Sequence, residues 1–238
     1  MRPVTDALPT DIGRHDGLAY SLWLPKQEGR ARRGVVILHG AGSCKESHHD
    51  YARVVLAAGF GAISFDQRGH GASDGPMDGR LLEDVSSMAG LLRASLADTP
   101  AIALRGSSMG GYLAILAAPL VGARAVVAIC PASAEGLRRG LAAGTPSFNA
   151  DVEAMDAVLA DNDLGAAVQS LRMPLLLLHA EGDEQVPVQH SRELAEYMCA
   201  PGSRLITLPG GHHRSIQHDG ELQAVSLRFI ERALATSR

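Results

Sequence analysis

Residues 103–116, ALRGSSMGGYLAIL, set two serines among glycines between one apolar run and the next. Within them Gly106-Ser107-Ser108-Met109-Gly110 fits the pattern G-x-S-x-G. That pattern carries chemistry where a strand turns sharply into a helix, and here AIALR reads as the strand and MGGYLAIL as the helix. Such a turn strains its central residue, and glycines two positions to either side remove the side chains that would collide there. Ser108 would then stand at a helix N-terminus, where free N–H groups favour a developing negative charge. Ser107 is the competing serine, but its spacing to the glycines is wrong. A Gly/Ser-rich turn without chemistry would match the same pattern; the flanking strand and helix argue against it.

A serine hydroxyl is a weak nucleophile until a base takes its proton and a third group orients that base. Where G-x-S-x-G sits on an open parallel sheet, an acid and then a histidine follow in the chain, each beyond a later strand. LLLLHAEGDEQVP offers Asp183, flanked by Glu181 and Glu184, and RLITLPGGHHRS offers His213 and His212. Distance from a strand end does not separate adjacent positions, so both choices stay open on spacing. HGAG (residues 39–42) follows the run GVVIL, and its small residues let backbone approach the serine. The N–H of Ala41, paired with that of Met109, would hold an oxyanion.

Seven stretches read as the strands that position these loops: 19–24, 34–39, 61–65, 101–105, 125–130, 175–179 and 204–208. From Gly34 onward they are almost continuously apolar, as in strands covered on both faces. The first alternates and reads as an edge strand. Leu81, Leu82, Val85, Met88, Leu92 and Leu96 mark one amphipathic helix; Leu222, Val225, Phe229, Ile230 and Ala233 mark another. This alternation predicts an α/β fold, one domain over residues 1–238, with a mostly parallel sheet and helices on both faces. Residues 132–172 hold helical pattern without a strand, longer than a normal crossover, and are expected to form a small helical cap, with a long helical crossover as the alternative.

Taken together, these segments resemble the α/β-hydrolase superfamily over nearly the whole chain. FDQRGHGASDG (residues 65–75) resembles its D-x-R-G-x-G-x-S segment. EGDEQVP resembles its G-x-x-D-x-x-V-P acid loop, which selects Asp183, and LPGGHHR resembles its P-G-x-x-H loop, whose histidine falls on His213. The front half and the short insertion resemble small serine esterases of the cinnamoyl-esterase and monoacylglycerol-lipase type. Serine at the turn departs from dehalogenases and epoxide hydrolases, which carry aspartate there, and from dienelactone hydrolases, which carry cysteine. The resemblance implies a carboxylic ester hydrolase acting on a small-molecule ester. Its triad would be Ser108, His213 and Asp183, with Ala41 and Met109 as the oxyanion hole and no cofactor. Arg68 and His70 resemble residues that fix loops in the family.

Composition narrows the alternatives. Over 238 residues, 46% hydrophobic and 20% charged residues supply a core without disulfides or metal. A formal net charge of −4 provides no basic footprint for nucleic acid, and GRARR (residues 29–33) reads as a solvated loop. Cys44, Cys130 and Cys199 are too widely spaced for a disulfide framework or paired zinc ligands, so the first two read as packing residues near the site. Ten histidines without H-E-x-x-H spacing predict no metal, and His48-His49 read as the start of a surface helix. MRPVTDALPTDIG has no signal-peptide core, and the apolar region 113–130 is broken by Pro119, Gly122 and Arg124. A cytoplasmic protein without a membrane span is therefore expected. Peptidase, amidase, thioesterase or acyltransferase chemistry would use the same scaffold. A non-catalytic binding protein is the remaining rival, and a full set of triad residues argues against it.

Overall fold

The computed structural model describes residues 6–26, 32–97, 100–144 and 147–235. Its strands are β1 (Asp11–His15), β2 (Leu18–Trp23), β3 (Arg33–Leu38), β4 (Gly61–Phe65), β5 (Ala101–Ser107), β6 (Val126–Ile129), β7 (Leu175–Ala180) and β8 (Arg204–Leu208). The helices are α1 (His49–Ala57), α2 (Leu81–Ser95), α3 (Met109–Leu120), α4 (Ala134–Ala142), α5 (Val152–Asp161), α6 (Leu164–Ser170), α7 (Val188–Glu196), α8 (Ser215–His218) and α9 (Gly220–Ala235). One sheet runs β1-β2-β4-β3-β5-β6-β7-β8; β1–β2 and β2–β4 pair antiparallel and all the remaining neighbours pair parallel.

Alternate residues of the inner strands face opposite ways, and both sets are apolar, so the sheet is buried on two sides. Val36, Leu38, Ile63, Leu104 and Leu177 pack with α2 and α3, through residues such as Met88 and Leu113. Val35, Ile37, Ala103, Val127 and Leu178 form the second core, with Tyr51 and Val55 of α1 and Ile230 of α9. Among the described residues no helix is long and apolar enough to cross a membrane.

Two expectations need correction. The stretch at 19–24 is not an edge strand: β2 is paired on both sides and all its residues are buried. The edge belongs to β1, whose DIGRH has too little apolar alternation to announce itself and takes its place from the pairing of Asp11 with Leu22. His48 does not lie on the surface; a 3-10 turn at Lys45–His48 precedes α1 and turns that ring into the interior, 1% exposed. Of GRARR, residues 29–31 lie outside the described residues, and Arg33 begins β3.

Between β6 and β7 the chain forms α4, α5 and α6. Asp151 and Asp163 cap the last two by accepting from Ala154 N and Ala166 N. Backbone bonds attach this insertion to the loop after β4: Met77 N donates to Asn149 O at 2.9 Å, and Asn149 N donates to Gly69 O at 3.0 Å.

Candidate active site

The loops after β3, β5, β7 and β8 all leave the C-terminal end of the parallel strands, where open α/β sheets bind their ligands. Ser108 lies between β5 and α3 with φ +53°, a region that L-residues occupy only under constraint. The constraint is close packing of backbone. A Cβ on Gly106 would collide with the carbonyl of Gly110, and one on Gly110 with the carbonyls of Leu38 and His39. Met109 opens α3, where the N–H has no intrahelical acceptor. Ser107 ends β5 with its side chain buried.

Asp183 and His213 come together from the loops after β7 and β8. Asp183 Oδ2 accepts from His213 Nδ1 at 2.7 Å, and both side chains are buried. Asp183 Oδ1 accepts from the N–H groups of Gln185 at 2.9 Å and Val186 at 2.8 Å, so the loop's own backbone holds the carboxylate. Burial alone would raise this carboxyl. Bonds from His179, His213, Val186 and Gln185 outweigh it and hold the group well below the usual carboxylate range. An ionised Asp183 can only accept, so Nδ1 carries the proton and Nε2 is the basic nitrogen of His213. Of the competing residues, Glu181 is exposed and pairs with Arg192 at 3.0 Å. Glu184 accepts from the backbone N–H of His213, and His212 points its ring to solvent.

Ser108 and His213 line one cavity of about 180 Å³ together with Gly40, Ser47 and Gln217. Among the described residues no hydrogen bond joins the Ser108 hydroxyl to the His213 ring; in unliganded sites such bonds are commonly long and tighten with substrate. On its other side Ser108 opens into a larger cavity of about 490 Å³, lined by α4 residues Gly136, Leu137 and Leu141 and by Phe148, Met155 and Val186. Ala41, Ser108 and Gln185 border both cavities.

The loop after β3 is held from below by two neutral histidines. His39 Nδ1 donates to Gly40 O and its Nε2 accepts from Gln67 N at 3.0 Å. Burial first, then the nearby His70, brings the His39 pKa down to about 4. His70 Nδ1 donates to Arg68 O, and its Nε2 accepts from Gly42 N at 3.0 Å while its ring stacks on Phe148. The turn closes by Ser43 N donating to Gly40 O, so Ala41 N is not engaged within it. Arg68 reaches away, to Asp84 and to Asp16 O, in keeping with a loop-fixing role.

Ligand atoms of Cys130, Asp183 and His213 lie within 4.8 Å of one another. Burial, and then the Asp183 charge, push the Cys130 thiol up, so it stays protonated and a poor metal ligand. The other two members are already bonded to each other. Cys130 sits at φ +42° beside the Asp183–His213 pair. Sequence reasoning passed over His179, although a histidine at the end of a leucine run in LLLLHA, four residues before Asp183, is an anomaly that flags itself.

The sequence pattern of the family described as serine aminopeptidase, S33, matches residues 29–150. A monoacylglycerol lipase of Mycolicibacterium smegmatis is 26% identical, over 82% of this chain and 85% of its own length. The uncharacterized protein YfhR of Escherichia coli O157:H7 is 27% identical over 92% of this chain and 78% of its own. Among solved structures, Est1E from Butyrivibrio proteoclasticus, with ferulic acid bound, matches with a TM-score of 0.70 at 22% identity, covering 94% of this chain and 98% of that one. A monoacylglycerol lipase of Paleococcus ferrophilus gives 0.69 at 20% identity, covering 92% and 99%.

Proposed function

The chain belongs to the α/β-hydrolase family described as serine aminopeptidase, S33, and from that premise we propose that it cleaves carboxylic esters through an acyl-enzyme on Ser108. His213 Nε2 takes the Ser108 proton as Oγ attacks the acyl carbon. The N–H groups of Ala41 and Met109 hold the tetrahedral oxyanion. Asp183 keeps the imidazole in the Nδ1–H tautomer and stabilises its charged form. His213 then protonates the departing alcohol, and water hydrolyses the acyl-enzyme by the same route. The observation that carries this reading is the 2.7 Å bond from His213 Nδ1 to a buried, ionised Asp183, with His213 sharing a cavity wall with Ser108.

The direction of proton transfer orients the substrate. The leaving oxygen must meet His213, so the alcohol lies toward the cavity of about 180 Å³ and the acyl group toward the one of about 490 Å³. Residues 132–172 act as a cap over the acyl side, through Gly136, Leu137, Leu141 and Phe148.

The family's description raises aminopeptidase chemistry as the second reading. An aminopeptidase must pair a substrate ammonium, yet among the described residues neither cavity has an aspartate or glutamate in its lining. That favours esters over aminoacyl amides. Ser108→Ala should lose p-nitrophenyl ester turnover on the order of 10⁶-fold and should fail to react with a fluorophosphonate probe. Near-normal turnover in that variant refutes the assignment, and faster cleavage of aminoacyl anilides than of matched esters moves it to the peptidase reading.

A further inference from the structure

His179 is the last residue but one of a strand otherwise made of leucines and alanine, and its ring is wholly buried. A buried imidazole is costly unless both nitrogens are hydrogen-bonded, and both are. Nε2 lies 2.9 Å from Val186 O and 3.3 Å from Asp183 Oδ2. A carbonyl only accepts, so Nε2 carries the ring proton. In the neutral ring Nδ1 is then a bare acceptor, and the Ser191 hydroxyl, 2.7 Å away on α7 and itself wholly buried, donates to it. The opposite tautomer would turn a nitrogen lone pair toward a carbonyl and a carboxylate at once. That N–H is directed at Val186 O, and Asp183 Oδ2, 3.3 Å from the same nitrogen, faces its positive edge, with His213 bonded to the oxygen on the other side.

We propose that His179 and Ser191 are positioning residues that extend the triad inward: Ser191 selects the Nε2–H tautomer of His179, and that N–H, bonded to Val186 O, turns its positive edge to Asp183 Oδ2 and keeps the carboxylate against His213 Nδ1. The inference rests on the serine-hydrolase reading. It assigns the histidine to neither substrate binding nor proton transfer; it acts through Asp183 alone.

Two substitutions of similar size separate the ring's two ends. Glutamine places an N–H near the Nε2 position and can still donate to Asp183. The shorter asparagine can accept from Ser191 but does not reach Asp183. His179→Asn should lower kcat about 30- to 100-fold with KM within about twofold, while His179→Gln should stay within about fivefold of the parent kcat, because loss of orientation by about 1 Å costs on that order. Ser191→Ala should fall between them. Equal kcat for the Asn and Gln variants, or a loss confined to KM, overturns the proposal. The turnover scored is the part that Ser108→Ala removes, so absence of any such turnover sinks the ester reading instead. The proton NMR signal of the His213–Asp183 bond then decides the positioning without substrate. It should move in His179→Asn and not in His179→Gln, and an unmoved signal in the Asn variant overturns the proposal.

Discussion

The loop carrying Asp183 and the insertion between β6 and β7 border the same cavity, yet they are held by different forces. Asp183 is buried and receives bonds of 2.7 to 2.9 Å from His213, Gln185 and Val186. The insertion's α4 and α5 are joined across their surface by Arg138 and Asp156 at 2.7 Å, both about half exposed. Arg139 pairs with Glu135 along α4, also in solvent. Exposed pairs of that kind contribute at most about 1 kcal/mol, whereas breaking a buried charge pair costs several times more. The difference teaches where change is tolerated. The acid–base edge depends on each of its bonds, while the acyl-side wall can be altered without threatening the fold.

The largest expected effect lies on the acid–base edge. His213→Ala should cut turnover by about 10⁴- to 10⁶-fold, while His212→Ala, whose ring is exposed, should cost no more than about threefold. The opposite ranking in a steady-state assay would assign the base to the neighbouring position.

A smaller effect concerns the floor beneath the loop after β3. His39 titrates at about 4 in the fold against an ordinary 6.5, so the folded state resists its protonation. Its contribution is fully present above pH 6.5 and is lost as pH falls toward 4, by up to about 3 kcal/mol. Thermal melts across that window should show a steeper loss for the parent protein than for His39→Gln. Superimposable pH dependences would show that this histidine does not couple folding to pH.

The smallest effect tests the tolerant wall. Gly136 lines the larger cavity, and a Cβ there meets only the Ser133 hydroxyl, at 3.0 Å. Gly136→Leu should change the melting temperature little, since the better helix former offsets the crowding of the Ser133 cap. It should lower kcat/KM for bulky acyl esters about tenfold relative to acetyl esters. Equal losses for both acyl sizes would place the acyl group elsewhere.

Much of this was legible from residue order. Gly106 and Gly110 are required by collisions within a few residues of Ser108, and local sterics need no knowledge of the rest of the molecule. The inner strands were visible because burial on both faces demands unbroken apolar runs, as in LLLL and GVVIL. β1 was not, because an exposed edge strand places little demand on its side chains and DIGRH depends on β2 for its conformation. His48 misled for a related reason: next to the polar His49 and Asp50 it reads as surface, and only the packing of the 3-10 turn against the sheet buries it.

By itself, then, the amino-acid order determined the strand–turn–helix at Ser108, the succession of loops that bring an acid and a histidine after it, and the two-faced parallel sheet. These follow from backbone sterics and from the periodicity of burial, both local in the chain. Residue spacing left His212 and His213 open and only the family resemblance chose His213; the tertiary structure alone decided that His179 stands beside the carboxylate with Ser191 on its other nitrogen, and that two cavities of unequal size flank the serine. Those are contacts between segments far apart in sequence, and a hydrogen bond's partner is chosen by position and direction in space, which residue spacing does not encode.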